Sequence, residues 1–336
     1  MNSEPVDRVG SEPGTSGTAG TDAAEPRRPV VVAVDGSAGG GRALEWALAA
    51  ARLRGARLRI VHVRSYPIPL VDGPFTALLE RRGNDPVLDQ VRALLVGRAD
   101  LPELEFVTVD GGPRHELPGL GDDAGLLVLG SRGRGGFVGL LLGSNGLTCA
   151  REAACPVVVV RAESDAGSAP GVRPESVAPR AGAVDGPAVA EEPCVVLGLA
   201  APAPDDAAMA FAFAEAARRG ARLQVVAAYP WPVLSSTAAG DFVMSAVADS
   251  DTEKEYGQLA GGLLAPYRER YPDVPVEVRV ASGDAAGHLV DASRSADLVV
   301  VGRHRRRPAP GRLLGSVTNA VLLHAGCPVA VVPQPA

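Results

Sequence analysis

The sequence predicts an α/β protein built from two Rossmann-like domains, each a five-stranded parallel sheet flanked by helices. Three observations carry this. Short apolar runs rich in Val and Leu, without polar alternation, read as strands buried on both faces. Helical patterns fill the gaps between them, the alternation of a doubly wound sheet with right-handed crossovers. The whole pattern then occurs twice within 336 residues. Val30–Val34 matches Val195–Leu199, Ala43–Arg52 matches Ala208–Ala217, and Gly55-Ala-Arg-Leu58 is identical to Gly220-Ala-Arg-Leu223. Leu141-Leu-Gly-Ser144 recurs as Leu313-Leu-Gly-Ser316, and Ala154-Cys-Pro-Val157 as Gly326-Cys-Pro-Val329.

In chain order, strands are expected at about 30–35, 57–63, 104–109, 125–130 and 156–161 in the first half. In the second they are expected at about 194–199, 222–229, 275–281, 297–302 and 327–332. The clearest helices are 40–54 and 205–219. Pro118 and Gly119 fall where the third helix of the first half belongs, and a proline inside a helix costs about 3 kcal/mol, so that helix should be short or broken. Its counterpart, Ala285–Ser295, has no such breaker. Residues 1–29 read as a disordered tail and 162–192 as a flexible linker, both rich in Gly, Ser, Pro and acids. Domains are therefore expected over 30–161 and 193–333.

An apolar fraction of 46% suffices for two cores, and an aromatic content of 4% means those cores are mostly Val, Leu and Ala. The net charge of −6 gives nucleic acid or a membrane surface no bulk attraction. No apolar run approaches the roughly 18 residues of a span, and Met1–Pro29 lacks the apolar core of a signal peptide. The four cysteines, Cys149, Cys155, Cys194 and Cys327, form no CxxC pair. Cys155 and Cys327 hold equivalent repeat positions and read as small buried residues at strand starts, not as metal or redox groups. Together these features imply a cytoplasmic protein.

The residues that suggest chemistry follow the run Leu126–Leu129. Gly130, Gly133 and Gly143-Ser144 stand in the spacing G-x2-G-x9-G-S, where a buried strand ends and a helix follows. Glycine lets the backbone approach an anion, and the first amides of the next helix point at it. The second half repeats the register with Gly302, Arg305 and Gly315-Ser316, a weaker copy. A Walker loop is excluded because no lysine follows the second glycine; Lys254 is the sole lysine of the chain. A GxGxxG fingerprint is excluded because the first turn reads Asp35-Gly-Ser-Ala-Gly-Gly-Gly41. Phosphate would therefore be held by backbone amides and the Ser144 hydroxyl. A glycine-rich surface loop would look similar alone, but the in-register repeat favours the phosphate reading.

Asp35, after the first strand, can bond a ribose hydroxyl, help hold Mg²⁺ beside phosphates, or simply cap its Asp-Gly turn. His62 lies within the second strand, where a structural role outweighs a catalytic one. His304 and Arg305–Arg307 form a basic run that suits either phosphate or solvent. No Ser-His-Asp set, paired catalytic carboxylates or metal-ligand cluster stands out.

These motifs resemble the universal stress protein family in a tandem form. Family members carry Val-Asp-Gly-Ser after strand one, an apolar-His-Val second strand, the G-x2-G-x9-G-S/T motif and a Cys-Pro-Val final strand. Here these are Val34–Ser37, Val61–Val63, Gly130/Gly133/Gly143/Ser144, and the segments at 155–157 and 327–329. The resemblance covers about 30–161 and 194–333. It implies strand order 3-2-1-4-5 and ATP as ligand, with Mg²⁺ a possible companion at Asp35. Ala33, Asp35 and Val63 would surround adenosine, while Gly130, Arg132, Gly133, Gly143, Ser144 and Asn145 would line ribose and phosphates. Family members dimerise through the last strand, so the two halves are expected to pair within one chain, with a homodimer also open. The second half departs from the pattern: Ala200 replaces the aspartate and Arg305 the second glycine, which implies a degenerate site around Gly302, Gly315 and Ser316. The implied role is a nucleotide-dependent stress-response or signalling module without catalytic residues. Slow ATP hydrolysis and nucleotide-independent scaffolding are the alternatives.

Overall fold

In the first half, β1 (Val30–Ala33), β2 (Leu58–Arg64), β3 (Leu104–Asp110), β4 (Leu126–Gly130) and β5 (Val157–Val160) alternate with helices. These are α1 (Ala38–Arg54), α2 (Pro86–Leu95), α3 (Pro113–Gly119) and α4 (Ser144–Glu152). The second half supplies β6 (Cys194–Leu199), α5 (Asp206–Arg219), β7 (Arg222–Tyr229) and a hairpin of β8 (Leu234–Ser236) with β9 (Phe242–Met244). It continues with α6 (Asp249–Arg270), β10 (Val276–Ser282), α7 (Ala285–Ala292), β11 (Leu298–Gly302), α8 (Ser316–His324) and β12 (Val329–Val332). The computed structural model describes residues 27–65, 84–132, 142–161, 192–229, 234–236, 242–244, 249–303 and 314–334. Apart from Arg27–Pro29 and Glu192, the expected tail and linker lie outside these residues.

One ten-stranded sheet runs β10-β7-β6-β11-β12-β5-β4-β1-β2-β3. Counted within each half, this is the order 3-2-1-4-5 twice. Every ladder is parallel except the join, where β12 meets β5 antiparallel with Val329 opposite Val159, Ala330 opposite Val158 and Val331 opposite Val157.

The repeat sets local structure as well as topology. Ser37 caps α1 by accepting from Gly40 N at 3.1 Å, and Asp205 caps α5 by accepting from Ala208 N at 3.1 Å. Gly55 and Gly220, at φ 56° and 58°, end the two helices in the left-handed region, where only glycine sits without strain. The helix carrying Pro118 is only seven residues long, as its sequence predicts. The first strand stops at Ala33, two residues before Asp35, because Asp35 belongs to a turn. The last strand of each half starts at Val157 or Val329, after the Cys-Pro pair, since proline has no N–H for the ladder.

Alternating residues of the strands feed two apolar layers, and both continue across the join. Val158, Val160, Ala330 and Val332 belong to the layer under α1 and α5, and Val157, Val159, Val329 and Val331 to the opposite one. Polar bolts reinforce the join. Arg161 donates to the carbonyls of Leu322 and Leu323, both at 2.8 Å, and Arg303 donates to that of Ala153 at 2.7 Å. These carbonyls close α8 and α4, where helix ends leave acceptors unsatisfied and favour positive charge. Between α1 and α5, Glu215 is fully buried and accepts from Arg54 at 2.6 Å, Arg218 at 2.8 Å and Arg219 at 3.3 Å. Arg54 lies over the Phe211 ring and Arg219 over the Trp46 ring. Burial pushes the Arg54 guanidinium down to about 10, against the opposing pull of Glu215.

Removing one partner of such a buried set strands the other charge. Glu215→Ala is expected to lower unfolding free energy by about 3–5 kcal/mol, read as a lower urea midpoint. The paired change Arg54→Met with Glu215→Leu should recover most of that loss.

Candidate functional site

β1 and β4 are neighbours, yet the chain leaves β1 toward β2 on one side and leaves β4 toward β5 on the other. Such a switch point opens a crevice at the carboxyl ends of the strands. Val34 N still bonds the Val61 carbonyl at 2.8 Å, and the chain then turns at Asp35. Asp35 Oδ1 accepts from Ser37 N at 3.0 Å and from Ser37 Oγ at 2.5 Å, so this oxygen organises the turn, while Gly36 takes φ 74°.

Backbone meets backbone along the rest of the rim. A Cβ on Gly130 would lie 2.6 Å from the Gly39 carbonyl group, and one on Gly39 would collide with the Arg132 carbonyl oxygen. On the far side, Ser131 N bonds the Val160 carbonyl at 2.8 Å and Gly143 N bonds the Ser131 carbonyl at 2.7 Å. Gly143 is the N-cap of α4, and neither a side-chain cap nor a first-turn acid occupies that helix start. The first turn of α1 likewise carries no acid. Amides, glycines and the Ser144 hydroxyl thus line one rim that suits an anion.

The structure brings Asp35, Gly130, Arg132, Gly143, Ser144 and Asn145 to this rim. Ala33 and Val63 sit on adjacent strands, β1 and β2, toward the same end of the sheet. Gly133 lies outside the described residues, as do His304 and Arg305–Arg307. Sequence reasoning assigned no role to Gly39 or Gly40, although their run of glycines signals close approach. Ser131 was also missed; it is fully buried, and its Oγ has no hydrogen-bond partner among the described residues.

His62 has a structural role. Its Nδ1 donates to Asp85, 2.9 Å from each carboxylate oxygen. Asp85 also accepts from Thr108 Oγ1 at 2.8 Å and caps α2 through the amides of Val87 and Leu88. One buried carboxylate therefore ties β2, β3 and α2 together. Burial alone would raise its pKa, but the bonds from His62, Thr108 and Leu88 N outweigh it and hold the carboxyl below its ordinary value. An Asp-Pro pair ahead of the apolar run of α2 is the sequence signal for this cap.

The second half keeps the frame and fills the rim. Asp205 stands where the repeat register places Gly40, and its carboxylate lies against Gly302, where any Cβ would strike Oδ2. Asp205 is buried, and Oδ2 has no hydrogen-bond partner among the described residues. Asp206 adds a second acid to the first turn of α5, and Val317 stands in the place of Asn145. Gly315 caps α8 without a side-chain bond, as Gly143 does for α4. Gly302 accepts instead from Thr318 Oγ1 at 2.9 Å.

All four cysteines are buried and free. Burial pushes Cys149, Cys155 and Cys327 up to about 12, so they stay protonated and inert, in line with their expected packing role. Among the described residues no group of three or more His, Cys, Asp or Glu could hold a metal, and no helix is long and apolar enough to cross a membrane.

Fold and rim together define a tandem Rossmann-like protein with a glycine-lined switch point. The model of the universal stress protein family matches residues 26–161 and again 195–333. Universal stress protein Rv2005c of Mycobacterium tuberculosis is 34% identical over 319 residues, covering 92% of this chain and 99% of that protein. A Mycolicibacterium smegmatis universal stress protein is 31% identical over 316 residues, covering 90% of this chain and 96% of its own. A solved universal stress protein from Archaeoglobus fulgidus superposes with a TM-score of 0.59 at 16% identity, covering 92% of this chain and 99% of its own. The chain belongs to the universal stress protein family, with two copies of the domain.

Because folding depresses the Asp85 pKa, the carboxylate contributes stability that is present above its unfolded value of about 4 and lost as pH falls through the folded one. Asp85→Asn is therefore expected to be less stable at pH 7 and to show a shallower loss of stability below about pH 4. Urea midpoints measured from pH 2 to pH 7 check both.

Proposed function

We propose that the first repeat binds ATP and that the chain acts through nucleotide occupancy as a stress-response or signalling module. The observation that carries this reading is the contrast between the two rims. The first is glycine-lined and free of first-turn acids, whereas the second holds the buried Asp205 carboxylate against Gly302. Like charge in that position opposes phosphate. The phosphates would lie on Gly130, Arg132, Gly143 and Ser144, with Gly133 and Asn145 beside them. Ala33, Asp35 and Val63 would face the nucleoside. Mg²⁺, where present, would reach the protein through Asp35.

The second repeat serves as a packing partner, and Gly302, Gly315 and Ser316 are its vestigial counterparts. Occupancy shifts conformation or partner contacts by differential affinity, without turnover. Asp35, the carboxylate on the rim, has Oδ1 engaged by Ser37, which supports binding over general-base chemistry. The β5–β12 ladder already occupies both last strands, so a homodimer would need another surface. The reading includes a cytoplasmic site of action, supported by four unpaired thiols.

Mass spectrometry of nucleotide released from the denatured protein, with its molar ratio, tests this. The expected result is about one ATP per chain, and about tenfold or more weaker binding in Asp35→Ala, the loss of one hydrogen bond to a charged group. Two ATP per chain would show that the second repeat tolerates Asp205. No ATP, with none taken up on adding ATP and Mg²⁺, would assign the chain to nucleotide-independent scaffolding.

A further inference from the structure

A cavity of about 510 Å³ lies where the two halves meet. The antiparallel join sets the start of β4 and β5 beside the ends of β11 and β12, and the cavity occupies the gap between these layers and α5. Arg54, Gly125 and Pro156 line it from the first half, and Phe211, Arg218 and Arg303 from the second, with three alanines of α5 forming the floor. Among the described residues no carboxylate lines it. The carboxylate beside it, Glu215, is fully buried and shared by Arg54, Arg218 and Arg219. Glu215 thus answers three guanidiniums, of which Arg54 and Arg218 line the cavity, and Arg303 lines it from the far side with a bond to the Ala153 carbonyl.

Positive charge concentrated at an apolar junction of a chain with net charge −6 is a local excess that nothing in the bulk composition explains. Guanidiniums are the groups best suited to carboxylate and phosphate oxygens, which they grip in pairs. The volume falls in the range of small-molecule sites, about 300–1,000 Å³. The Phe211 ring and the alanine floor suit an apolar body.

We infer that this interdomain cavity binds a small organic oxyanion, its carboxylate or phosphate held by Arg54, Arg218 and Arg303 and its apolar part against Phe211. The site is separate from the glycine rim and does not depend on nucleotide binding there. Because its arginines come from both repeats, its occupant would cross-link them and stabilise the folded pair.

Isothermal titration calorimetry of the full chain at fixed chloride concentration, with phenyl phosphate and benzoate as probes, tests the inference. At least one probe is expected to bind at one per chain, and the stronger of the two identifies the preferred oxyanion. Arg218→Gln, which removes a cation, and Ala214→Leu, which fills the cavity while leaving every arginine in place, should each weaken binding at least tenfold. Thermal unfolding without probe confirms that both variants fold, and their ATP content should match wild type. Failure of both probes to bind, or equal affinity in wild type and both folded variants, would overturn the inference.

Discussion

The structure depends on one short antiparallel ladder. Three residue pairs between β5 and β12 turn two five-stranded parallel sheets into one of ten. An exposed last strand would leave a row of unpaired backbone groups, the usual route to unwanted association. Pairing the two last strands removes both edges at once. It also lets each apolar layer run unbroken through the join, and it fixes which helices meet. With the halves antiparallel, the end of α1 faces α5, so Arg54 reaches Glu215, and Arg161 and Arg303 cap helices in opposite halves. The cavity between the halves is a consequence of the same geometry, since opposite ends of the two sheets lie side by side.

Duplication supplied the frame twice, and the two copies then diverged. From Val30 and Val195 through Gly55 and Gly220 the offset is 165 residues, and from Gly130 and Gly302 through Cys155 and Cys327 it is 172, so the second copy gains seven residues between the two parts of its rim and each part keeps its own register. What changed is chemistry at single positions. Gly40 became Asp205, which moved the helix cap from Ser37 to a residue three places further along in register. One carboxylate thereby caps α5 and fills the space against Gly302. In the first copy Gly40 leaves that space to main chain and to the Asp35 carboxylate, and glycine at 39 and 130 is required because any Cβ would meet a carbonyl.

Much of this was legible in the sequence, for physical reasons that differ by feature. The strands were legible because parallel strands buried on both faces are unbroken apolar runs, and the break at Pro118 because proline cannot continue a helix. The glycine lining of the first rim was legible because glycine is needed where backbone approaches backbone. The Glu215 cluster was not, since an acid followed by two arginines on a helix also describes a solvated face, and only the fold shows α1 covering it. Asp85 was missed for a related reason: its cap is local, but its bonds to His62 and Thr108 join residues 23 positions away in either direction. The role of Asp205 required knowing that Gly302 packs against it, a contact across nearly a hundred residues.

The same rigidity limits how occupancy of the first rim can be transmitted. Rotating one half against the other would break the β5–β12 ladder, divide two apolar layers, and uncover the carboxylate that holds three arginines. Exposing even two of the valines buried at the join would cost about 3–6 kcal/mol, whereas a ligand commonly supplies a coupling of about 1–3 kcal/mol between states. The cost of separation exceeds what a ligand supplies, so a nucleotide bound as proposed would leave the halves as one body and confine its effect to the rim. There the contacts are few and local: the Asp35–Ser37 turn, the approach of Gly130 to Gly39, and the single bond from Gly143 to Ser131. Phosphate bound across these three segments would tie together pieces of chain from β1, β4 and α4. The surface they shape at the end of the first half is where a partner would sense the nucleotide.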